Sequence, residues 1–387
     1  MNRRTDPWLI LITVVLTGLG LVMVYSASAF VAEEETGNAL HYFTRQCVAI
    51  GMGLVLCIGT AVTPTRTLRK YRWAFYLCCI VGLIGTYIPG IQHKANGAAR
   101  WVGVGGINIQ PSEYAKIAVL IVVAHFLDRW RTRIGDWRVI VNAGALAIPI
   151  LCLTILQPDF GTTAIIGGCT AMMLFIAGMK PAHIGAVAVG GSAVGIPVML
   201  AESYRVARLM NFTDPWATAD KEGYHVIQSW VAMHTGGVWG QGLGNSKAKL
   251  HFLPEPWTDF IGAVIAEELG LVRFIMLLGL FGLFIWRGFH IARHARDAFG
   301  MFLAGTLTAM IGLEAFFNLG VATGIVPPKG LVLPFISYGS TAMQCNLFAV
   351  GILLSIAAES DATALTEGWP NRKPSLADPS ALPSPAK

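Results

Sequence analysis

Charge is what this sequence has least of. Its 387 residues include 28 Lys and Arg and 22 Asp and Glu, so charged side chains make up 13% of the chain, about half of the roughly 25% of a soluble domain. With 54% apolar residues and 43 glycines, too little polar side chain is present to coat a water-soluble globule of this length. A soluble one- or two-domain enzyme is therefore excluded. Cysteine is sparse as well: the seven cysteines fall in or beside apolar runs, where they act as small apolar residues, and no disulfide is expected. No His-Glu-x-x-His zinc motif occurs, and His290 and His294, four residues apart, sit in an Arg-rich stretch that does not suit a metal.

What the chain does have is long apolar blocks. A bilayer core of about 30 Å needs roughly 20 helical residues, and blocks of that kind run near 8–28, 46–63, 73–90, 113–128, 139–157, 160–178, 183–201, 259–286, 299–323 and 342–358. The expected architecture is an all-α polytopic membrane protein of about ten transmembrane helices, one membrane domain over 1–358. Arg3 and Arg4 before the first block could open a signal peptide, but that block is longer than the 7–15 residues of a typical h-region and reads as a retained helix.

Most of the Lys and Arg residues cluster at alternate turns, above all 66–72, 129–138 and 287–296. By the positive-inside rule these turns and both termini are cytoplasmic. That placement accounts for the net charge of +6 without a nucleic-acid partner. The Pro-rich stretch 359–387 holds too few apolar residues to repay ordering and reads as a disordered cytoplasmic tail.

The other face carries the unusual segments. Residues 202–258 form a large extracytoplasmic loop between helices 7 and 8, too long for a plain connection. Within it Val226, Trp230 and Met233 mark an amphipathic helix at the membrane surface. A glycine-dense run, Gly236 to Gly244, then brings backbone amides within reach of an anion, with Lys247 and Lys249 close behind. Asp259 follows where the next helix begins, and taken alone Thr258-Asp259 reads better as an N-cap pair.

Two further outer segments add Lys94, Arg100, Glu113 and Lys116, and then Lys329 and Ser337 among prolines and glycines. Glu113 and Lys116 share one helix face a turn into the membrane, where charges are costly enough to suggest function, although an ion pair between the two is as good a reading. Cations, carboxylates, glycine-rich backbone and an adjoining apolar groove suit an anionic lipid-linked substrate, a diphosphate with a hydrocarbon tail, better than a small solute. Glu267 and Glu268 are expected to face the bundle and pair with Arg273 or another cation.

These residues resemble the SEDS (shape, elongation, division and sporulation) family. The motifs are Gly97-Ala98-Ala99-Arg100-Trp101 with Gln110-Pro111-Ser112-Glu113, Gly223-Tyr224 with Gln228-Ser229, Leu253-Pro254-Glu255 with Thr258-Asp259-Phe260, Glu267-Glu268-Leu269-Gly270, and Leu333 to Gly339. The run Gly242 to Lys247 is more similar to the division branch than to the elongation branch. Pro256-Trp257, Arg273 and Ser340-Thr341-Ala342 depart from the family's usual residues.

The resemblance implies a peptidoglycan glycosyltransferase that polymerises lipid II at the outer face of the bacterial inner membrane, at the division septum. Asp259 matches the catalytic aspartate, a general base. Arg100, Glu113, Lys116, Lys247, Lys249, Lys329 and Ser337 are the candidate substrate-binding residues, and a divalent cation, Mg or Mn, is the candidate cofactor, its ligands unassigned. The implied partners are the growing glycan strand, a class B penicillin-binding protein transpeptidase and divisome regulatory membrane proteins. A lipid II flippase, an elongation-type polymerase and a recruiting scaffold are the alternatives.

Overall fold

The computed structural model describes residues 6–90, 92–95, 98–104, 107–200, 212–219, 223–250, 252–253, 255–327 and 330–367. Helices dominate them: α1 (Pro7–Thr36), α2 (His41–Val62), α3 (Thr65–Gly85), α4 (Pro111–Arg129), α5 (Trp137–Ala145), α6 (Ile148–Leu156), α7 (Phe160–Ile176), α8 (Pro181–Leu200), α9 (Gly223–Gly236), α10 (Ile261–Arg293), α11 (Ala298–Thr323) and α12 (Ser340–Glu367). Every apolar block read from the sequence coincides with one of these helices or with the α5–α6 pair. Among the described residues five helices, α1, α2, α10, α11 and α12, are long and apolar enough to cross a membrane by themselves, or six if the bent α5–α6 pair counts as one span. The protein is thus a multi-pass helical membrane protein.

Three features differ from the sequence reading. The block 139–157 is broken, its two helices bent by 41°, because Pro149 in the first turn of α6 has no N–H to give and its ring crowds the carbonyl four residues back, that of Ala145 at the end of α5. Within the connection 91–112 the described residues form a small antiparallel sheet, β1 (Gln92–Ala95), β2 (Ala98–Val104) and β3 (Ile107–Ile109), in the order β1-β2-β3. Its short strands give little periodic signal. Finally, α12 continues to Glu367, into the segment read as a tail; residues 368–387 lie outside the described residues.

The core is built around α4, α11 and α12. Ala115 and Ile117–Ala124 of α4 are all buried, packed among α3, α7, α11 and α12. Close helix approach rests on small residues: a Cβ on Gly351 would fall 2.0 Å from Thr60 Oγ1, and one on Gly20 only 2.3 Å from the Phe335 carbonyl oxygen. The outward faces of α1 and α10 carry Leu11, Val14, Val15, Ile275, Met276 and Trp286, all exposed, as a lipid-facing surface requires. In the long loop, α9 follows the amphipathic stripe: Val226 is buried and Trp230 donates Nε1–H to the Thr323 carbonyl at 3.2 Å. It packs on α10 and α11.

Candidate active site

A cavity of about 620 Å³ is walled by the start of α2, strand β2, the first turns of α4 and α7, residues 255–259, the middle of α11 and residues 330–342. It brings together Arg100, Glu113, Lys116 and Asp259 from the sequence-derived set, and adds Arg45, Asp159, Glu255 and Glu314.

Lys116 forms the floor. Its Nζ lies 2.9 Å from Glu113 Oε2, one turn back on α4, and also pairs with Glu314 of α11. All three side chains are nearly sealed from solvent, so the lysine is shared by two carboxylates rather than by one. Glu314 was missing from the sequence reading. The available signal was a lone acidic residue within the apolar block 299–323, a placement costly enough to demand a partner.

Arg100 is held at the side. It donates Nε–H to the Gln157 carbonyl at 3.3 Å and Nη2–H to the Pro158 carbonyl at 2.5 Å. The Gln157 acceptor exists because it is the C-cap of α6, whose last carbonyls have no helical partners, and the Pro158 carbonyl lies in the turn that follows. Asp159 caps α7, accepting from Thr162 N at 3.2 Å through Oδ1, while Oδ2 accepts from Gln110 Nε2 at 3.4 Å.

Asp259 is not the N-cap of α10. That position is Phe260, without a side-chain cap bond, and Thr258 Oγ1 donates instead to the Glu255 carbonyl at 2.9 Å. The aspartate is fixed through its backbone. Asn318 Nδ2 donates to the Asp259 carbonyl at 3.1 Å and to the Leu331 carbonyl at 2.6 Å. Ser337 Oγ donates to the Thr258 carbonyl at 2.7 Å and accepts from Leu333 N at 2.8 Å. Ser337 therefore ties the Asp259 segment to the 333–339 turn and does not itself line the cavity. Backbone presses close to the carboxylate: a Cβ on Gly330 would stand 3.4 Å from Asp259 Oδ2. Lys329 lies outside the described residues; its neighbours Gly330 and Leu331 line the cavity.

Lys247 and Lys249 are not part of this cavity. The segment just after the glycine-rich run, Ser246 to Lys249, does cradle anions, but they are the chain's own glutamates. Gly270 interrupts α10 with a φ of 79°, a left-handed conformation that glycine tolerates. The break separates the Glu267 and Glu268 carbonyls from their helical donors. Gln241 N and Gly242 N take these carbonyls at 3.0 Å each, while Leu271 N and Val272 N turn to the Gly237 and Val238 carbonyls at 3.0 and 3.3 Å. The Glu267 carboxylate accepts from the Ser246 hydroxyl and from the amides of Lys247 and Ala248 at 3.1 and 3.2 Å. Glu268 pairs with Lys249 Nζ at 3.0 Å and accepts from Ser26 of α1 at 2.7 Å. Of the two expected partners, Arg273 or another cation, it is the second, Lys249, that pairs; Arg273 donates to the Trp239 and Leu269 carbonyls at 2.8 and 3.1 Å.

Fold and site together define a polytopic helical membrane protein with a charged cavity formed by segments far apart in sequence. Residues 7–362 match the FtsW/RodA/SpoVE family of cell cycle proteins, and the chain belongs to that family. It is 38% identical over 366 residues to the probable peptidoglycan glycosyltransferase FtsW of Geobacter metallireducens, covering 93% of this chain and 96% of the relative. It is 35% identical over 362 residues to the stage V sporulation protein E of Bacillus subtilis, covering 93% and 99%. Among solved structures, a chain from a peptidoglycan synthase complex that coordinates polymerization and crosslinking matches with a TM-score of 0.75 at 26% identity, covering 92% of this chain and 98% of that one. The rod shape determining protein RodA of Thermus thermophilus matches with a TM-score of 0.67 at 25% identity, covering 91% and 96%.

Proposed function

We propose that the cavity polymerises the disaccharide units of lipid II into glycan strands, with Asp259 as general base. The chain is a peptidoglycan glycosyltransferase, the activity for which its FtsW relatives are named. One observation carries the residue roles: Asp259, Arg100 and the Glu113–Lys116–Glu314 cluster line one cavity.

In the proposed step the 4-hydroxyl oxygen of the acceptor sugar attacks the anomeric carbon of the donor. The hydroxyl proton passes to the Asp259 carboxylate, and the bond to the diphosphate oxygen breaks, so that undecaprenyl diphosphate leaves with the electron pair and the anomeric configuration inverts. Charge developing on the leaving group calls for preset cations. Arg100 on the wall and Lys329 beside Gly330 are assigned that role. The charge of Lys116 is taken up by Glu113 and Glu314, so it shapes the floor rather than holding the diphosphate.

A divalent cation finds no ready cage: among the described residues no three His, Cys, Asp or Glu side chains group as a metal site, and no step is assigned to one. A class B penicillin-binding protein partner is supported by the likeness to the peptidoglycan synthase complex. The division septum as location, divisome membrane proteins as further partners and cytoplasmic termini complete the reading, the last supported by the basic turns.

The test is polymerisation of lipid II by the purified protein together with its penicillin-binding protein. Asp259→Asn is expected to lower turnover by about 10² to 10⁴, the usual contribution of a positioned base, with unchanged thermal unfolding. Wild-type turnover in that variant would remove Asp259 from the mechanism.

A further inference from the structure

Beside Asp259 the cavity has an aromatic corner that the reaction above does not use. The Tyr42 ring at the start of α2 stacks on Trp257 with centroids 4.9 Å apart and 29° between planes, and Tyr338 meets Tyr42 edge-on at 5.2 Å. The corner is held rigidly. The Tyr42 hydroxyl donates to Glu35 Oε2 at 2.9 Å, and Tyr338 N donates to the Trp257 carbonyl at 2.9 Å. Gln46, one turn further along α2, donates to the Ser337 carbonyl at 3.2 Å.

A packing brace between α2 and the 333–339 turn explains Trp257, which is 7% exposed. It does not explain why Tyr42 and Tyr338 stay half-buried with surface facing the cavity. Aromatic surface edged by polar groups suits a pyranose ring, whose axial C–H bonds form an apolar face and whose hydroxyls form a polar rim. Thr258 and Glu255 line the same wall and supply such groups. A hydrocarbon tail fits this corner poorly. It has apolar surface of its own lower on α2, where Val48 and Met52 line the cavity.

We propose that Tyr42, Trp257 and Tyr338 form a saccharide subsite, in which a sugar ring of the substrate stacks on the aromatic corner and is thereby presented to Asp259. This rests on the glycosyltransferase reading and adds to it a specificity element: the enzyme recognises the sugar by its C–H face as well as its diphosphate by charge. Ring stacking is non-covalent and is already made in the ground state, so its loss acts on substrate affinity rather than on the chemical step.

The experiment uses the full-length protein with its penicillin-binding protein partner, lipid II as substrate, and a soluble GlcNAc–MurNAc tetrasaccharide as binding probe followed by saturation-transfer NMR. Tyr42→Leu keeps apolar bulk but removes the ring face. It is expected to raise KM about tenfold, the scale of one aromatic stacking contact, with little change in kcat and with weakened saturation transfer to the sugar C–H protons. Tyr42→Phe, which keeps the ring and loses only the bond to Glu35, is expected to recover most of that KM. Unchanged KM and unchanged saturation transfer in Tyr42→Leu would overturn the subsite, as would a fall in kcat at constant KM, the mark of a brace. Should Tyr42→Leu unfold, Tyr338→Leu gives the same reading from the other ring. Asp259→Asn protein separates the two ideas: it must lose turnover if the base is correct, yet still bind the tetrasaccharide if the corner is.

Discussion

Glu113 with Glu314, and Glu267 with Glu268, are two pairs of buried carboxylates, and their surroundings differ. The first pair flanks a single lysine at the floor of the cavity. The second is enclosed by the chain itself: backbone amides and a serine satisfy Glu267, while Lys249 and Ser26 satisfy Glu268. Buried charge near a membrane marks function only when its neighbours leave it facing a space that a ligand can enter. Closed off by its own loop, the same chemistry becomes a clasp joining α1, α10 and the glycine-rich run.

Substitutions can break this contrast, and the largest expected effect comes from the cavity floor. Lys116→Met leaves two buried carboxylates without a counter-charge and should cost about 3–5 kcal/mol, read as a large drop in the thermal unfolding temperature in detergent, and whatever protein remains folded should polymerise slowly. An unchanged unfolding temperature would mean that the three side chains do not hold α4 to α11. Next comes Lys249→Met in the clasp, which strips Glu268 of its cation and should destabilise by a few kcal/mol, towards the lower part of that range because Ser26 remains as a donor. Its folded fraction should retain wild-type turnover per molecule. A specific loss of turnover there, with stability intact, would mean the clasp reports to the cavity. The smallest effect is expected from Ser246→Ala, which removes one of three donors to Glu267 and should cost about 1 kcal/mol, a shift of a few degrees without change in KM.

Much of this molecule could be read in one dimension. Apolar length placed the helices, and the exceptions have local causes, such as Pro149 dividing 139–157. Asp259 stands out in the sequence at the start of a helix beside an unusual loop, yet the same residues allow a capping role, a position the fold gives to Phe260. Lys247 and Lys249 stand out in the sequence by their charge and their glycine neighbours. Sequence could not show that their amides and ammonium groups face Glu267 and Glu268, because which carboxylate fills such a cradle depends on the kink at Gly270.

By itself, then, the sequence determined the membrane class, the helix positions and the candidate charges, since hydrophobic length and charge distribution act locally and do not need a partner. Tertiary structure alone decided which charges share a cavity. Lys116 meets Glu314 across 198 residues and Ser26 meets Glu268 across 242. No residue period records such pairings: they follow from how helices pack and from the need of each buried charge to find a partner once water is gone.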